Sequence, residues 1–501
     1  MGRKTLQRTP LYTAAQVREL DNLAIERAAI KPYALMCQAG EAAFAALISR
    51  WPDMRELLIF CGGGNNGGDG YVMARLARQH DMEVQLVALT PQESLTGSAL
   101  QAAQDAAAEG VVPTALEDVR WHSGQLIVDA LLGTGLQGEV REPFAAVIEL
   151  INQSGLPVLA VDIPSGLCAD SGNVLGCAVQ AQMTVTFIGQ KRGLFTGHGP
   201  ACTGEVRYAR LAVPDAVFNE VPAQSRLIGW ACVRECQPFT ERVAFAHKGM
   251  FGHVLIVGGN HGMGGAVMMA AEMAIKAGAG LVSVATREQH IAPLLARCPA
   301  IMAHGVNDGF ALLPLLAKAS VVVVGPGLGQ DAWAEQLLQA CMENGQQPLV
   351  LDADALNLIA SGGYQADGGR TLCVTPHPME AARLLGGSVA DVQADRFAAA
   401  RMLQQMFAAQ VLLKGAGSIL DDGNEQAVLA DGNPAMATAG MGDVLSGLLG
   451  ACLAQIADPS LAMRTAASLH SAAADNWVQK NGKRGLIAPD LIEEIRILQN
   501  D

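Results

Sequence analysis

Charge and aromatic rings are both scarce in this sequence. Only 16% of the 501 residues are charged and 4% are aromatic, whereas half are hydrophobic. That balance excludes a disordered chain, which needs abundant charge and few apolar groups. Positive charge is scarcer still: 34 Lys and Arg stand against 48 Asp and Glu, a formal net charge of −14. A surface of that sign repels a phosphate backbone, so nucleic acid is set aside as a partner. Long apolar runs are missing too. The longest, VLSGLLGACLAQIA from Val444, is too short and too glycine-rich to span a bilayer, so no membrane is expected. The opening MGRKTLQRTP lacks the apolar core of a signal peptide, and Leu6 breaks the myristoylation pattern, which makes a cytoplasmic location the expectation. The eleven cysteines are odd in number and scattered, and Cys232 and Cys236 have no matching second pair. Zinc and a disulfide framework are therefore set aside in favour of reduced, buried thiols.

What the sequence has in abundance is glycine, 55 residues of it, between short apolar runs and alanine-rich helices. The length exceeds one ordinary core, so two or three domains are expected. Helical spacing from Thr13 to about Leu47 is followed by apolar strands, ELLIF, VQLVAL, QLIVDALLG, PVLAVDI and MTVTFI, each ending in Gly, Asp, Ser or Asn. This is the rhythm of a doubly wound α/β domain. The pattern breaks at Val221 to Pro238. A second α/β series then runs through HVLIVGG, LVSVAT, SVVVVGPGLG, PLVLDADALNLI and TLCVTPHPMEAARLLG. VLLKGAGSILDDGNEQAVLA reads as strands paired around the turn DDGN. Two domains are expected, residues 1–225 and 226–501, both doubly wound three-layer α/β folds, the first Rossmann-like.

In the first half, CGGGNNGGDG lies between a strand and a helix, and Gly62, Gly64 and Gly67 satisfy G-x-G-x-x-G. A dinucleotide loop keeps negative charge away from its helix start, yet Asn65, Asn66 and Asp69 stand here. The second strand also ends in Thr90 and Pro91 rather than the ribose-binding acid, so ordinary NAD cofactor binding is discounted. Other strand ends carry Asp129, Asp162 and Ser165. Ligands of open α/β sheets bind beside such ends, so Asn66, Asp129, Asp162 and Ser165 are expected to converge. Amide, hydroxyl and carboxylate oxygens suit a hard cation. Each Asp alone could instead form a turn or cap a helix.

CGGGNNGGDG, VDALLGTGL and AVDIPSGL resemble the signature stretches of the NAD(P)H-hydrate epimerase family, and they span nearly the whole first half. That resemblance implies a nicotinamide dinucleotide hydrated at C6 as ligand, with a potassium ion beside its phosphate. It places potassium on Asn66, Asp129 and Ser165. It places the hydrate on the loops Asn65, Asn66, Gly67, Gly68, Asp69 and Gly133, Thr134, Gly135, Leu136, Gln137, Gly138, Glu139, with Asp162 as candidate acid/base. Lys191 could assist Asp162 or be an ordinary surface lysine.

The second half culminates in NPAMATAGMGDVLSGLLGA, where Gly440 and Gly442 permit a close turn ahead of a small-residue helix. Its free N–H groups make an anion site, and Asp443 stands among them, placed to exchange a proton or to cap the helix. GMGD resembles the ribokinase-like fold, in which this Asp activates a hydroxyl for phosphoryl transfer. With HKGMFGHVLIVGGNHGMGGA, VVVVGPGLG, LVLDADALN and VTPHPMEAARL in order, the half is most similar to the NAD(P)H-hydrate dehydratase family. The resemblance implies that ADP or ATP, with magnesium, phosphorylates the C6 hydroxyl before phosphate leaves; the fusion favours ADP. It puts the hydrate on Ala266, Gly329, His377 and Asp443, and the nucleotide on Lys414, Gly415, Ala416, Gly417, Ser418 and Gly442. His377, between two prolines, could instead be a rigid loop residue.

Together the halves are expected to repair NADH and NADPH hydrates by epimerisation and nucleotide-dependent dehydration, in a homo-oligomer. Two rivals stay open at this point. One is a ribokinase-like small-molecule kinase with a regulatory first half; the other makes the first half a non-catalytic binding module.

Overall fold

The computed structural model describes residues 9–362 and 369–500. The amino-terminal stretch 1–8, read above for targeting signals, lies outside them. The chain divides into two units, Pro10–Ser225 and, together with Thr9, the residues from Arg226 onward.

The main sheet of the amino-terminal unit has six strands: β1 (Glu56–Cys61), β2 (Glu83–Ala88), β3 (Gln125–Ala130), β4 (Val158–Val161), β5 (Met183–Phe187) and β6 (Glu205–Ala209). They pair in the order 2-1-3-4-5-6, all parallel. Successive residues point to opposite faces, and both faces are packed. Leu57 and Ile59 join one core cluster with Leu126, Val128, Leu159 and Val161. Leu58 and Phe60 join another with Ile127, Val158 and Ala160. That explains why the strands read as unbroken apolar runs. The sequence did not announce β6, an edge strand whose Glu205 and Tyr208 face solvent. The early helical segment is two helices, Ala14–Glu26 and Pro32–Arg50, parted where Pro32 starts the second.

The carboxy-terminal unit adds β7 (His253–Val257), β8 (Leu281–Thr286), β9 (Met302–Gly305), β10 (Val321–Val324), β11 (Leu349–Leu351), β12 (Leu372–Val374), β13 (Gln410–Leu413), β14 (Ile419–Asp421) and β15 (Gln426–Leu429). The order is 9-8-7-10-11-12-13-14-15. Pairing is parallel up to β13 and antiparallel from β13 through β15 around the DDGN turn. Helices Gly264–Lys276 and Met441–Gln455 lie against each other on one face, over Val254, Ile256, Val321 and Val323. The helices touch backbone to backbone: a methyl group at Gly447 would sit 2.1 Å from the Ala270 carbonyl oxygen. None of the eleven thiols is in a disulfide, but five, Cys37, Cys168, Cys177, Cys232 and Cys236, are only half-buried rather than buried as expected. They lie on helix surfaces and loops instead of strands.

Because the atoms opposite Gly447 are backbone and cannot rotate away, Gly447→Ala is expected to destabilise the carboxy-terminal unit by about 1–3 kcal/mol. Urea unfolding followed by circular dichroism measures it; an unchanged midpoint would contradict this packing.

Candidate active sites

In the amino-terminal unit the order reverses between β1 and β3, and the polar residues gather at the carboxyl ends there. Gly62 to Gly64 make the turn after β1, and Asn65 already begins the helix Asn65–Gln79. Asn65 to Asp69 are thus the first helical turn rather than the loop expected from sequence. Two glycines persist in that turn because nothing larger fits: a methyl group at Gly67 would lie 2.0 Å from the Gly62 oxygen, and one at Gly68 would strike Met36. Gly133 to Glu139 do form an irregular loop after β3. Asp69 does not cap its helix; the cap position is Gly64.

Asp129, wholly buried at the end of β3, accepts the Ser165 N–H at 2.8 Å and the Ser165 hydroxyl at 2.5 Å. The Ser165 Oγ in turn accepts the Leu132 N–H at 2.8 Å. Burial pushes the Asp129 carboxyl up to about 6, against the Ser165 bonds that hold it down. Asn66 packs against Gly133, and both its amide oxygen and nitrogen are buried without a hydrogen-bond partner. An orphaned buried amide beside a buried carboxylate and a hydroxyl is a donor set in want of a ligand. No group of three or more His, Cys, Asp or Glu side chains among the described residues is disposed to hold a metal ion. A cation here would rely on amide and hydroxyl oxygens, which suits potassium better than zinc.

Asp162 follows β4 in the left-handed region, φ +65°, a conformation a non-glycine residue adopts only when its surroundings enforce it. Lys191 provides much of that enforcement. Its ammonium pairs with Asp162 Oδ1 and donates to Thr186 Oγ1 and the Phe187 carbonyl, each at 3.1 Å. Its side chain is 1% exposed, so the surface-lysine reading is overturned. Two more carboxylates face this pair. Burial, then Asp162 and Asp21, push Asp69 well up, while Lys191 opposes; burial raises Asp21 to about 6.

In the carboxy-terminal unit the order reverses between β7 and β10. Ala266, after β7, and the Gly325 to Gly329 turn, after β10, meet at that reversal, and a methyl group at Gly327 would lie 3.1 Å from the Ala266 Cβ. The Gly329 N–H donates to Asp354 at 2.8 Å. Gly440, φ +88°, caps the helix Met441–Gln455 with no side-chain bond, so Asp443 is not the cap and its carboxylate is left for other work. Burial raises Asp443 to about 7, with Asp352 and Asp354 adding to the shift and Lys414 opposing it.

His377 caps the helix Pro378–Leu385, its Nδ1 accepting the N–H groups of Met379 and Glu380 at 3.1 and 3.2 Å. Its ring is therefore fixed rather than merely held between prolines. Lys414 to Ser418 form a turn closed by the Gly415 N–H on Ser418 Oγ at 3.2 Å, with the buried Arg396 guanidinium beneath Gly415. Lys414 itself points the other way, to Asp352 at 2.8 Å and Glu380 at 3.9 Å. Asp352 also accepts the Ser446 hydroxyl at 2.7 Å. Asp352, Glu380 and Ser446 were missed from sequence, although LDADALN at a strand end and the His-x-x-Glu spacing of HPME were visible signals.

The fold and this turn define an α/β protein of the ribokinase-like class. A ribokinase-like protein from Enterococcus faecalis is 30% identical, covering 55% of this chain and 96% of that one with a TM-score of 0.52. A profile described as NAD(P)H-hydrate dehydratase matches residues 254–497, and one described as YjeF-related protein N-terminus matches residues 32–193. The bifunctional NAD(P)H-hydrate repair enzyme Nnr of Coxiella burnetii is 46% identical over 98% of this chain and 100% of its own length. The Escherichia coli enzyme of that name is 40% identical over 98% and 94%. An ADP/ATP-dependent NAD(P)H-hydrate dehydratase from Bacillus subtilis, co-crystallized with ATP and Mg2+, is 25% identical with a TM-score of 0.50, covering 55% of this chain and 97% of that one. The chain belongs to the bifunctional NAD(P)H-hydrate repair enzymes, with an epimerase module followed by a dehydratase module. No helix among the described residues is long and apolar enough to cross a membrane.

Proposed function

We propose that residues 226–501 dehydrate the S-hydrate of NADH or NADPH with Asp443 as base, and that residues 1–225 interconvert the R and S hydrates with Asp162 as acid/base. The observation that carries this reading is Asp443, uncommitted in the first helical turn behind Gly440, with a proton affinity near neutrality. Asp443 takes the C6 hydroxyl proton as that oxygen attacks the terminal phosphorus of ADP or ATP, and the bridging P–O bond breaks to release AMP or ADP. The C6–O bond then breaks with phosphate leaving, N1 supplies electrons, and loss of the C5 proton restores the double bond. Phosphate leaves where hydroxide would not. Ala266, Gly329 and His377 orient the hydrate, while the backbone of the Lys414 to Ser418 turn and Gly442 face the nucleotide. Magnesium would arrive on the nucleotide phosphates and neutralise their charge. The domain fusion favours ADP.

In the epimerase, Asp162 takes the C6 hydroxyl proton, the C6–N1 bond opens to an aldehyde, and N1 re-closes on the opposite face with the proton returned. Asn66, Asp129 and Ser165 would hold potassium, supplying positive charge beside the substrate phosphate; the unpartnered Asn66 amide supports that fit. The first helical turn, Asn65 to Asp69, and the loop Gly133 to Glu139 enclose the dinucleotide. A cytoplasmic homo-oligomer completes the reading, its assembly measurable by light scattering.

A base titrating near 7 is protonated, and idle, in acid. The dehydration rate should therefore fall about tenfold per unit below pH 7, and Asp443→Asn should slow it roughly 10²–10⁴-fold with ADP still bound. A pH-rate profile on S-hydrate, followed by NADH absorbance, checks both; near wild-type turnover in the variant would end the assignment.

Potassium is tested through the epimerase. Replacing it with tetramethylammonium should slow interconversion of the epimers, and Asp129→Ala should abolish that cation response. Equal rates in every cation would reduce Asp129 to a turn former.

The sites lie in separate units, so side-chain truncations should not couple. With Asp162→Ala and ADP, a mixed hydrate should clear in two phases, the S form at its normal rate and the R form only as fast as it epimerises unaided. With Asp443→Ala, NADH recovery should be nearly lost while pure R still equilibrates with S by chromatography. A complete, single-phase trace for Asp162→Ala would remove the epimerase role.

A further inference from the structure

Lys414 lies at the start of a turn suited to a nucleotide, yet its ammonium is turned inward and its side chain is 21% exposed. It bonds Asp352 Oδ1 at 2.8 Å and lies 3.9 Å from Glu380. Asp352 is 1% exposed, and its other oxygen takes the Ser446 hydroxyl at 2.7 Å. Ser446 is one turn along the helix from Asp443, on the same face three residues on. Gly442 closes the arrangement: a Cβ there would stand 3.5 Å from both Asp352 Oδ2 and Lys414 Nζ. The lysine and aspartate thus form a buried pair directly under the glycine turn that presents Asp443.

We propose that Asp352 and Lys414 are positioning residues for dehydration, a buried charge pair that pins the Asp443 helix through Ser446 and controls the Asp443 carboxylate, rather than anchors for the nucleotide. The inference rests on Asp443 being the base. Two charges of opposite sign act on one carboxylate through a water-poor setting, where Coulomb interaction is strong. Burial works to raise Asp352, but Lys414, Ser446 and Thr375 outweigh it and keep Asp352 ionised. Burial works to lower Lys414, but Asp352 and Glu380 outweigh it and keep the ammonium charged. The other ionisable groups facing this point are Asp354, at the start of the helix after β11, Glu380, His470, and His377, which burial and then Lys414 push down. His470 is bound to the Met441 backbone, and burial pushes it down to about 4, so it is neutral and contributes little field.

The two members of the pair should therefore move the same pH profile in opposite directions. Dehydration of S-hydrate by the full chain is measured from pH 5.5 to 9 at varied ADP, with epimerisation as the internal control of folding. Asp352→Asn removes a negative neighbour, so the acidic limb should shift down by about one pH unit, with kcat reduced about tenfold or more and the KM for ADP changed less than about threefold. Lys414→Gln removes a positive neighbour, so the limb should shift up by about half a unit or more. A limb that stays put in both variants, or moves the same way in both, overturns the proposal. So does a KM for ADP raised about tenfold by Lys414→Gln with the limb unmoved, which would make Lys414 a nucleotide anchor. If Asp352→Asn does not fold, the Lys414→Gln limb decides alone. Failure of the underlying reading looks different: Asp443→Asn would keep its activity.

Discussion

Both sheets are covered on both faces, and this one constraint decides where any chemistry can occur. A strand such as Glu56–Cys61 or Val321–Val324 is buried along its length, so a charged group in its middle would be stranded in apolar surroundings. Polar residues are tolerated where the strand runs out and the following loop can supply N–H groups. Asp129, Asp162, Asp352 and Lys414 all occupy such positions, at the carboxyl ends of β3, β4, β11 and β13. Glycine is abundant for the same reason. Loops at neighbouring strand ends approach backbone to backbone, as where a methyl group at Gly62 would lie 1.9 Å from the Leu131 oxygen.

Each unit resolves the cost of those charges with the same device, an aspartate at a strand end tied to a lysine from the end of a later segment. Lys191 with Asp162 and Lys414 with Asp352 are both largely removed from water. Such pairs add little to stability, since desolvation offsets most of the attraction. Their value lies in fixing geometry and local field. Asp162 is held in a strained backbone conformation, and Asp352 stands under a turn that no side chain caps. In both places a further carboxylate with raised proton affinity, Asp69 or Asp443, lies within the field of the pair. The difference lies in which carboxylate the proposed reactions use: the paired Asp162 in the first unit, the unpaired Asp443 in the second.

The sequence was most legible where local pattern and tertiary role coincide. Apolar runs ending in Gly or Asp located the central strands, and GMGD located the glycine turn that starts the helix Met441–Gln455, because burial on both faces and a close backbone turn each leave a residue-level mark. Two edge strands left none, although the edge strand Glu83–Ala88 was visible as VQLVAL. Glu205–Ala209 and Met302–Gly305 border solvent, so their composition follows no buried pattern. The Asn65 to Asp69 turn was misread because helix propensity disfavours its glycines, while close packing against Gly62 and Met36 demands them. Lys191 and Lys414 show the firmest limit. A lysine's burial and the carboxylate it meets depend on residues 29 and 62 positions away, and no spacing rule reaches that far.

The recurrence of one device in two modules follows from what their substrates share. Hydroxyl deprotonation at C6 opens both proposed reactions, and neither hydroxyl is acidic enough to ionise unaided near neutrality. A base in water would be too weak, and an isolated buried carboxylate would stay protonated. Asp443 sits between those limits: burial raises its proton affinity, and the Lys414 ammonium opposes that shift. The lysine must then be unable to reach the substrate itself, or its own charge would be spent there. Full use of the Lys191 donors on Asp162, Thr186 and Phe187, and the two carboxylates around Lys414, meet that condition in each unit. A charge-balanced, inward-facing lysine is thus what the two proposed sites share, each beside a glycine turn and a carboxylate of raised proton affinity.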